Sequence, residues 1–466
     1  MFPEDFKKRI LSQKYIDSDS LLKALGEPSP VSIRVNNLKW GKVPVNSKSV
    51  PWSSAGYYLE ERPSYTLDPV FHSGCYYPQE ASGMFLEEAI RQSLPSPDNI
   101  KALDLCGAPG GKTLLISDIL ADSSFLVSNE VIRQRASVLS ETVTKWGRGN
   151  TIVTQSDPSH FSRLPGFFDL ILTDAPCSGE GMFRTDIAVA EWSVANTAHC
   201  AERQKRIIMD VWPALKENGI LIYSTCTFNP GENEENIKWL IDNIDAECVR
   251  LDIGGFPGIK EIDFEGIFGY GFHPGTIRGE GFFISVIRKR EKAVAKTFRE
   301  RLRSELKPAK TDIETASRWS VFSPDRLLRP GDDLYAIPCD WESYLNLYDK
   351  LKVVKPGTKL FTVKNRDFLP SHDLALSVSI KKEAFPVIET GLTDALAYLQ
   401  RNNFLLNDAT KGWNIITYKS VFLGFINNIG SRFNNYFPVE WRIRMNIPST
   451  DDFRIIHWDE DGSAKQ

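Results

Sequence analysis

Short apolar runs alternate with helical segments between Lys101 and about Arg290. The runs are KALDLC, FLVSNE, TIVTQS, FFDLILTDAP, GILIYSTC and GFFISVI. Strands that alternate with helices in this way build βαβ units, whose crossovers are right-handed and whose sheet is mostly parallel. The pattern therefore predicts an α/β protein with a doubly wound, mostly parallel, Rossmann-like sheet at its centre.

Different patterns precede and follow this central region. Residues 1–95 begin with Phe6, Ile10 and Leu11 at helical spacing and continue through extended pieces, which predicts a small α+β domain. Residues 371–466 are richer in aromatic residues and turn signals, which predicts a compact β-rich module. We therefore expect four parts, comprising residues 1–95, 96–290, 291–370 and 371–466.

Composition limits the class of protein. The chain has 466 residues, of which 42% are hydrophobic, and no apolar run approaches the roughly 20 residues of a membrane helix. Its seven cysteines include no CxxC pair and no histidine at zinc spacing, which argues against a disulfide framework and a structural zinc site. The first residues lack the pattern of a signal peptide, so we expect a soluble, cytoplasmic, metal-free monomer.

The net charge of −4 at pH 7 averages over two stretches of opposite sign. Residues 229–268 carry three basic and ten acidic side chains, whereas residues 288–310 carry ten basic and three acidic ones. The basic run is compatible with a solvated helix face and with a nucleic-acid contact, in about equal measure. Residues 375–466 carry ten basic and ten acidic side chains, so any nucleic-acid contact of this C-terminal part must come from a local patch.

A glycine-rich turn follows the first central strand. Its sequence is Gly107-Ala108-Pro109-Gly110-Gly111-Lys112-Thr113, and a helical segment comes next. Such a turn lets backbone N–H groups approach a phosphate or a nucleoside closely. A P-loop would need glycine at the position of Cys106, so its spacing fails by one residue. The turn is therefore interpreted as part of a nucleoside-cofactor pocket, with a nucleoside triphosphatase as the weaker alternative.

Acidic residues end the next two predicted strands. Glu130 follows the second strand, where a carboxylate can bind ribose hydroxyls, and Asp157 follows the third, where it can accept a hydrogen bond from an adenine amino group. Each has an ordinary alternative role, since an acid in such a place often caps a helix or a turn.

Two cysteines lie at the predicted carboxyl ends of adjacent strands. Asp174 and Cys177 follow the fourth strand, and Cys226 ends the fifth. In a doubly wound sheet these ends face the ligand crevice, where a thiol can be activated as a nucleophile. Two thiols in this position are hard to explain as core packing.

These motifs together resemble the Sun-type RNA cytosine-5 methyltransferases. The resemblance covers roughly residues 30–290 and rests on RVNN, YPQEASGM, GAPGGKT, SNE, DAPCSGEG, STCTFNPGENEE and GEGFF, in that order. The stretch LGFINNIGSRFNNYFP is similar to the C-terminal modules of the bacterial ribosomal-RNA branch. The resemblance implies an N-terminal RNA-binding domain, a methyltransferase domain, a basic linker with an intermediate domain, and a PUA-like RNA-binding domain.

The resemblance also implies a role for each site residue. Cys226 would attack ring position 6 of a cytidine, and Cys177 would help to remove the proton from position 5 and to release the enzyme. Asp174 would hold the edge of the base, positioned by Lys112. The methyl donor S-adenosyl-L-methionine would be held by Gly107, Ala108, Pro109, Gly110, Gly111, Lys112, Thr113, Glu130, Arg135, Asp157 and Asp174. The RNA would be small-subunit ribosomal RNA, read through loops and flipped bases.

Several alternatives remain open at this point. Cys177 could be the nucleophile, as in DNA cytosine-5 enzymes with a Pro-Cys motif, although the Thr-Cys at position 226 argues against it. The substrate could be transfer RNA, or the chain could be a non-catalytic RNA-binding assembly factor. His273 and Arg278 lie near the last strands, where solvation at the surface is favoured over a phosphate contact. All the catalytic motifs precede residue 290, so deleting residues 371–466 is expected to leave donor binding intact.

Overall fold

Helices and a small antiparallel sheet precede the central region in the computed structural model, which describes residues 2–292, 304–406, 409–449 and 452–459. The elements of this region are α1 (Glu4–Ser12), α2 (Ser18–Leu25), β1 (Val31–Val35), β2 (Lys48–Ser49), β3 (Gly56–Leu59), α3 (Pro69–His72), β4 (Tyr76–Pro78) and α4 (Leu86–Ser93). The sheet has the strand order β2-β3-β1-β4. The N-terminal region is therefore a small α+β unit.

The central region forms most of a ten-stranded sheet. Its elements are β5 (Lys101–Asp104), α5 (Gly111–Ile119), β6 (Phe125–Asn129), α6 (Arg133–Trp146), β7 (Thr151–Thr154), β8 (Phe168–Asp174), α7 (Asp186–Glu191), α8 (Val194–Val211), β9 (Leu215–Thr225), α9 (Glu234–Asn243), β10 (Ala246–Val249), β11 (Lys260–Phe264), β12 (Ile267–Phe272) and β13 (Phe282–Lys289). The part of the basic run at residues 293–303 lies outside the described residues.

The middle of the sheet is parallel and its margins are antiparallel. Strands β5 to β9 pair in parallel in the order β7-β6-β5-β8-β9. Strand β13 pairs antiparallel with β9, and β12 and β11 continue outward from it. The first strand, β5, thus lies between β6 and β8, and the winding reverses there. The predicted doubly wound, mostly parallel sheet is confirmed.

Both faces of the parallel strands are buried, as their continuous apolar runs predict. Neighbouring residues point into different cores: Leu103, Ile171 and Leu221 pack on one face, while Ala102 and Leu170 pack on the other. This two-sided burial holds the carboxyl ends of the strands in a fixed arrangement.

The elements after the central region complete the sheet and add two smaller ones. They are α10 (Lys310–Trp319), β14 (Leu327–Leu328), β15 (Asp333–Ala336), α11 (Trp341–Lys350), β16 (Val353–Lys355), β17 (Thr358–Lys364), β18 (Asp367–Pro370), α12 (His372–Leu376), β19 (Val387–Glu389), α13 (Leu392–Gln400), β20 (Gly412–Tyr418), β21 (Val421–Asn428) and β22 (Phe433–Asn435). Strand β16 extends the central sheet beyond β7, and the other strands form the sheets β14-β15-β17-β18 and β19-β20-β21-β22.

The C-terminal module packs against the N-terminal unit. Ile33 and Val35 of β1 share one apolar core with Leu396 and Leu399 of α13 and with Ile416 of β20. The N-terminal unit and the C-terminal module are therefore joined through one shared apolar core.

Candidate active site

A cavity of about 310 Å³ opens where β5, β8 and β9 end. It lies at the reversal of winding between β5 and β8, the place where doubly wound sheets bind ligands. Its walls include Gly107–Pro109, Gly111, Lys112, Asp174 and Cys226. The structure thus brings the glycine turn, the acid after β8 and the thiol after β9 to one cavity.

The glycine turn fits a closely approaching ligand because its backbone lies bare against the cavity. A Cβ at Gly107 would stand 2.1 Å from the hydroxyl oxygen of Ser128, so this position has no room for a side chain. Gly110 has φ of +127°, a conformation that favours glycine, and α5 begins at the next residue. The turn therefore presents N–H groups and a helix N-terminus, as a nucleoside cofactor with a charged tail requires.

A salt bridge crosses the cavity between the turn and β8. Lys112 Nζ lies 2.8 Å from Asp174 Oδ2, and the hydroxyl of Ser224 donates a hydrogen bond to Asp174 Oδ1 at 2.7 Å. Burial lowers the pKa of Lys112, but the nearby negative charge, chiefly that of the Asp174 carboxylate, raises it by more. The net shift of the Lys112 pKa is therefore upward. Lys112 is therefore a fixed cation and Asp174 a carboxylate of fixed orientation.

The two predicted thiols touch each other. Cys177 Sγ and Cys226 Sγ are 2.9 Å apart, and the backbone N–H of Cys226 donates to Cys177 Sγ at 3.2 Å. The contact with Cys226, together with burial, raises the pKa of Cys177 well above its usual range. Cys177 is accordingly held as a neutral thiol beside Cys226.

A buried polar network positions the loop that carries Cys177. The Glu232 carboxylate accepts hydrogen bonds from the Ser178 backbone N–H, the Ser178 hydroxyl and the Gln204 amide. Gln204, on α8, also donates to the Pro176 carbonyl at 3.0 Å. The turn after β9 and helix α8 thus fix the residues on both sides of Cys177.

Glu130 and Arg135 lie next to the glycine turn. Glu130 is 5% exposed, accepts a hydrogen bond from the Ile132 N–H at 2.9 Å and lies 3.4 Å from the Arg135 guanidinium. Arg135 in turn donates to the Ala108 carbonyl at 2.8 Å. The pair joins the end of β6 to the turn after β5, although neither side chain is part of the described cavity wall.

Asp157 and Thr113 have structural partners. Asp157 is exposed and caps the short 3-10 helix Pro158–Arg163 by accepting from the Ser159 N–H and hydroxyl, and these bonds lower its pKa. This is the capping role that the sequence allowed as an alternative. The Thr113 hydroxyl lies beneath the turn and donates to Asp104 at 2.6 Å.

Several polar residues at the site have no role in the prediction. Burial raises the pKa of Asp104 to about 7, and its Oδ1 has no hydrogen-bond partner among the described residues. Gln79 and Glu80 line the cavity, Ser224 orients Asp174, and Glu232 positions the loop that carries Cys177. The sequence signal for Gln79 and Glu80 is the stretch YPQEASGM, a motif of the resemblance that gives neither residue a role.

The expectation of a solvated surface position is wrong for His273. This side chain is 5% exposed and lies 5.8 Å from the Phe228 ring, and burial lowers its pKa to about 4. The strand β12 directs it into the protein. Arg278 is exposed as expected, and its guanidinium lies over the Tyr58 ring.

Two negative findings apply to the described ranges. Within residues 2–292, 304–406, 409–449 and 452–459, no group of three His, Cys, Asp or Glu side chains is arranged to hold a metal ion. In the same ranges, no helix has the length and apolar character needed to cross a membrane.

Four family models match successive parts of the chain. Residues 2–81 match the N-terminal domain of 16S rRNA methyltransferase RsmF, and residues 92–288 match 16S rRNA methyltransferase RsmB/F. Residues 313–378 match the first C-terminal domain of RsmF rRNA methyltransferase, and residues 385–443 match the RsmF PUA domain. The predicted PUA-like module is therefore confirmed.

Relatives and solved structures agree with these matches. Ribosomal RNA small subunit methyltransferase F of Klebsiella pneumoniae (strain 342) is 29% identical over 94% of this chain and 96% of its own length. The protein of the same name from Aliivibrio salmonicida (strain LFI1238) is 27% identical over 91% of this chain and 94% of its own length.

A methyltransferase homolog from Pyrococcus horikoshii matches 62% of this chain and 95% of its own with a TM-score of 0.52 and 29% identity. NSun6 from the same organism, solved with SFG, has the same fold over 62% of this chain and 99% of its own, at a TM-score of 0.51 and 21% identity. Because these four models together match most of the chain, the chain belongs to the RsmF group of the RsmB/F family of 16S rRNA methyltransferases.

Proposed function

We propose that this chain transfers a methyl group from S-adenosyl-L-methionine to carbon 5 of a cytidine in small-subunit ribosomal RNA, through a covalent adduct with Cys226. The observation that carries the proposal is the single cavity shared by Cys226, the Lys112–Asp174 pair and the glycine turn. A nucleophile, a group for the base edge and a cradle for the donor thus stand within reach of one nucleotide.

Cys226 is the better placed of the two thiols for attack, because it lines the cavity. Its sulfur forms a bond to carbon 6 of the cytosine, and the electrons of the 5,6 double bond make carbon 5 nucleophilic. The Lys112 ammonium lies close enough to Cys226 to interact with it electrostatically. In the proposal, Lys112 therefore interacts with both the Cys226 thiol and the Asp174 carboxylate.

Asp174 is oriented to hold the polar edge of the base. Lys112 and Ser224 each occupy one of its oxygens, so the carboxylate cannot rotate away from the cavity. Contact with ring nitrogen 3 and the exocyclic amine would place carbon 6 over Cys226. The target cytidine must be unpaired or flipped to reach this position.

Cys177 completes the reaction after methyl transfer. Carbon 5 then carries both a hydrogen and the methyl group, and loss of that proton restores the double bond and expels the Cys226 sulfur. The contact with Cys226 is the largest cause of the raised pKa of Cys177. Cys177 must therefore pass its own proton to water before it can accept the proton from carbon 5, and the Cys226 sulfur leaves as a thiolate.

The residues around the glycine turn fit the methyl donor, which supplies an electrophilic methyl group when bound. Gly107, Ala108, Pro109, Gly110, Gly111 and Thr113 would form its cradle, Glu130 and Arg135 would lie at the ribose, and Asp157 would lie at the adenine. Gly107 and Gly111 line the same cavity as Cys226, which supports this assignment.

We assign the other parts of the chain to RNA binding. We also place the protein in the cytoplasm. The proposed division is an N-terminal RNA-binding domain (1–95), a methyltransferase domain (96–290), a basic linker with an intermediate domain (291–370) and a PUA-like domain (371–466). Single-stranded RNA is read through stacking and backbone contacts, which suits several flanking modules.

The proposal is tested by mapping labelled methyl groups. Purified protein is incubated with labelled donor and, separately, naked small-subunit RNA, assembled small subunits and transfer RNA. We expect label at carbon 5 of a cytidine in one of the small-subunit substrates and none with Cys226→Ala. Label in transfer RNA alone would overturn the substrate assignment, and donor binding without transfer to any RNA would favour a non-catalytic assembly factor.

A further inference from the structure

A second cavity, of about 590 Å³, adjoins the catalytic one. Cys226 lines the catalytic cavity, whereas the next two residues, Thr227 and Phe228, line the second, and Phe282 is part of both walls. Since consecutive Cα atoms are only about 3.8 Å apart, the two cavities lie side by side along one short segment. An RNA strand with its target cytidine at Cys226 therefore has its neighbouring nucleotides close to the second cavity.

Five aromatic side chains contribute to the wall of the second cavity. They are Tyr15, Phe228, Phe264, Phe282 and Phe283. The Phe228 ring lies 5.8 Å from the His273 imidazole, which also lines the cavity, and the two rings are tilted by 51°. Unpaired nucleobases bind proteins by stacking on such rings, and every base has a π-face that can do so. The wall thus suits a flat heteroaromatic ring.

Three polar groups of the same wall suit the edge of a base. Arg9 Nη2 pairs with Glu180, but Arg9 Nη1 is buried and has no hydrogen-bond partner among the described residues. Glu234 and His273 are 8% and 5% exposed. Burial raises the pKa of Glu234 to about 7 and lowers the pKa of His273 to about 4. At neutral pH the imidazole therefore offers one donor and one acceptor, and the carboxyl can act as either.

The charges at the second cavity also favour a nucleotide. Two cations, Arg9 and the exposed Lys14, are part of its wall, together with two acids, Glu234 and Glu235. The raised pKa of Glu234 leaves this acid partly neutral at pH 7, so the cations are not fully offset. Cationic side chains attract the phosphate groups on either side of a base.

We propose that the second cavity binds the base of a nucleotide directly next to the target cytidine, an inference that rests on the proposed function. The neighbouring base leaves its own stack and inserts between the aromatic side chains, and its polar edge faces Arg9, Glu234 and His273. Its covalent link to the target gives it a high effective concentration at this place, which favours it over a free ligand. Two adjoining cavities that take two consecutive nucleotides would hold the strand in one register at Cys226.

The first test fills the second cavity from an exposed position. Ser12, the last residue of α1, is exposed and lines this cavity, whereas Leu11 is 63% exposed and does not line it. We expect Ser12→Trp to raise the KM for small-subunit RNA, naked or assembled, about ten- to hundredfold, the loss expected for one stacked base. Its kcat and its Kd for S-adenosylhomocysteine should change less than about twofold, and Leu11→Trp should behave like wild type.

The second test identifies the nucleotide. Wild-type protein and the RNA that accepts labelled methyl groups are crosslinked with ultraviolet light, and the linked peptides are sequenced by mass spectrometry. We expect a peptide that contains Phe228 or His273 to carry the nucleotide directly beside the labelled cytidine. Ser12→Trp should lose this crosslink and Leu11→Trp should keep it.

The outcomes against the inference differ from failure of the proposed function. Equal KM values for Ser12→Trp and Leu11→Trp would show that no base enters the second cavity. A lower kcat at unchanged KM would mean that Ser12→Trp only loosens α1, and a crosslink to a distant nucleotide, or a raised KM without any crosslink, would also overturn the assignment. Wild-type protein that methylates no RNA would instead overturn the proposed function itself.

Discussion

Cys177 and Cys226 have different surroundings although their sulfurs touch. Cys226 faces the cavity, whereas Cys177 lies behind it, on a loop tied to Glu232 through Ser178. The raised pKa keeps Cys177 protonated in the free enzyme. Under the proposed function, Cys226 attacks the base, and Cys177 takes part in proton removal only after it has lost its own proton.

Alanine variants of the two thiols should fail at different steps. Cys226→Ala should abolish both turnover and covalent capture of RNA, since it removes the nucleophile. Cys177→Ala should still form the adduct but release it slowly, so that RNA-linked protein accumulates. A denaturing gel with donor and substrate RNA measures this. A persistent shifted band with Cys226→Ala and none with Cys177→Ala would reverse the assignment and support the DNA-enzyme-like alternative.

Asp104 should make stability depend on pH. Burial raises its folded-state pKa to about 7, above the value near 3.8 of the unfolded chain. The folded state therefore keeps a proton that the unfolded state has lost, and this contribution to stability disappears as pH rises through about 7. Relative to Asp104→Asn, wild-type Tm should fall by a few degrees between pH 5 and pH 8. A difference in Tm that stays constant over this range would contradict the raised pKa.

Helix α1 contains no predicted site residue, yet it packs against the loops that follow Cys177 and Cys226. Its Phe6 ring lies 4.7 Å from that of Phe183, and Gln13, just after the helix, donates to the Phe228 carbonyl at 3.0 Å. Arg9 forms an ion pair with the buried Glu180, which also accepts from the Phe228 N–H. The helix therefore links the loop after Cys177 to the loop after Cys226.

Weakening the packing of α1 should lower activity although no residue of the cavity is changed. Phe6 is fully buried, so Phe6→Ala should lower the free energy of unfolding by about 3–5 kcal/mol and detach the helix from the loops. We expect a lower kcat with donor affinity unchanged, measured by methyl transfer and calorimetry. Leu11→Ala, on the 63% exposed side chain of the same helix, is the control and should behave like wild type. Equal kcat values for the two variants would show that α1 does not hold the loops.

The two ends of the chain depend on each other for their core. Residues of β1, α13 and β20 bury their apolar side chains together, and β16, from a segment between them, extends the central sheet. The C-terminal module is thus part of the folded body as well as a candidate RNA-binding surface. Its removal would expose an apolar surface of the N-terminal unit.

Deleting residues 371–466 should therefore impair folding, against the expectation that donor binding survives the deletion. The shared core loses Leu396, Leu399 and Ile416 at once, which should lower the Tm by more than about 10 °C or cause aggregation. Size-exclusion chromatography and calorimetry measure this. A monodisperse truncated protein with the Tm and donor affinity of the full chain would show that the module is dispensable for folding.

The strand ends, the glycine turn and the two thiols could be predicted because each follows from a local pattern. A buried strand that runs into Gly107 or ends at Cys226 can be recognised from a few neighbouring residues. The handedness of βαβ units then brings the ends of these strands to one edge of the sheet.

The other features depend on residues far apart in the chain. Ser224 positions Asp174 from 50 residues away, and Arg9 reaches Glu180 across 171 residues. The burial of His273 likewise depends on which segments pack around it, and so does the Gln79 amide, which has no hydrogen-bond partner among the described residues. No local pattern carries that information, because a side chain meets its distant neighbours only once the sheets and helices have packed.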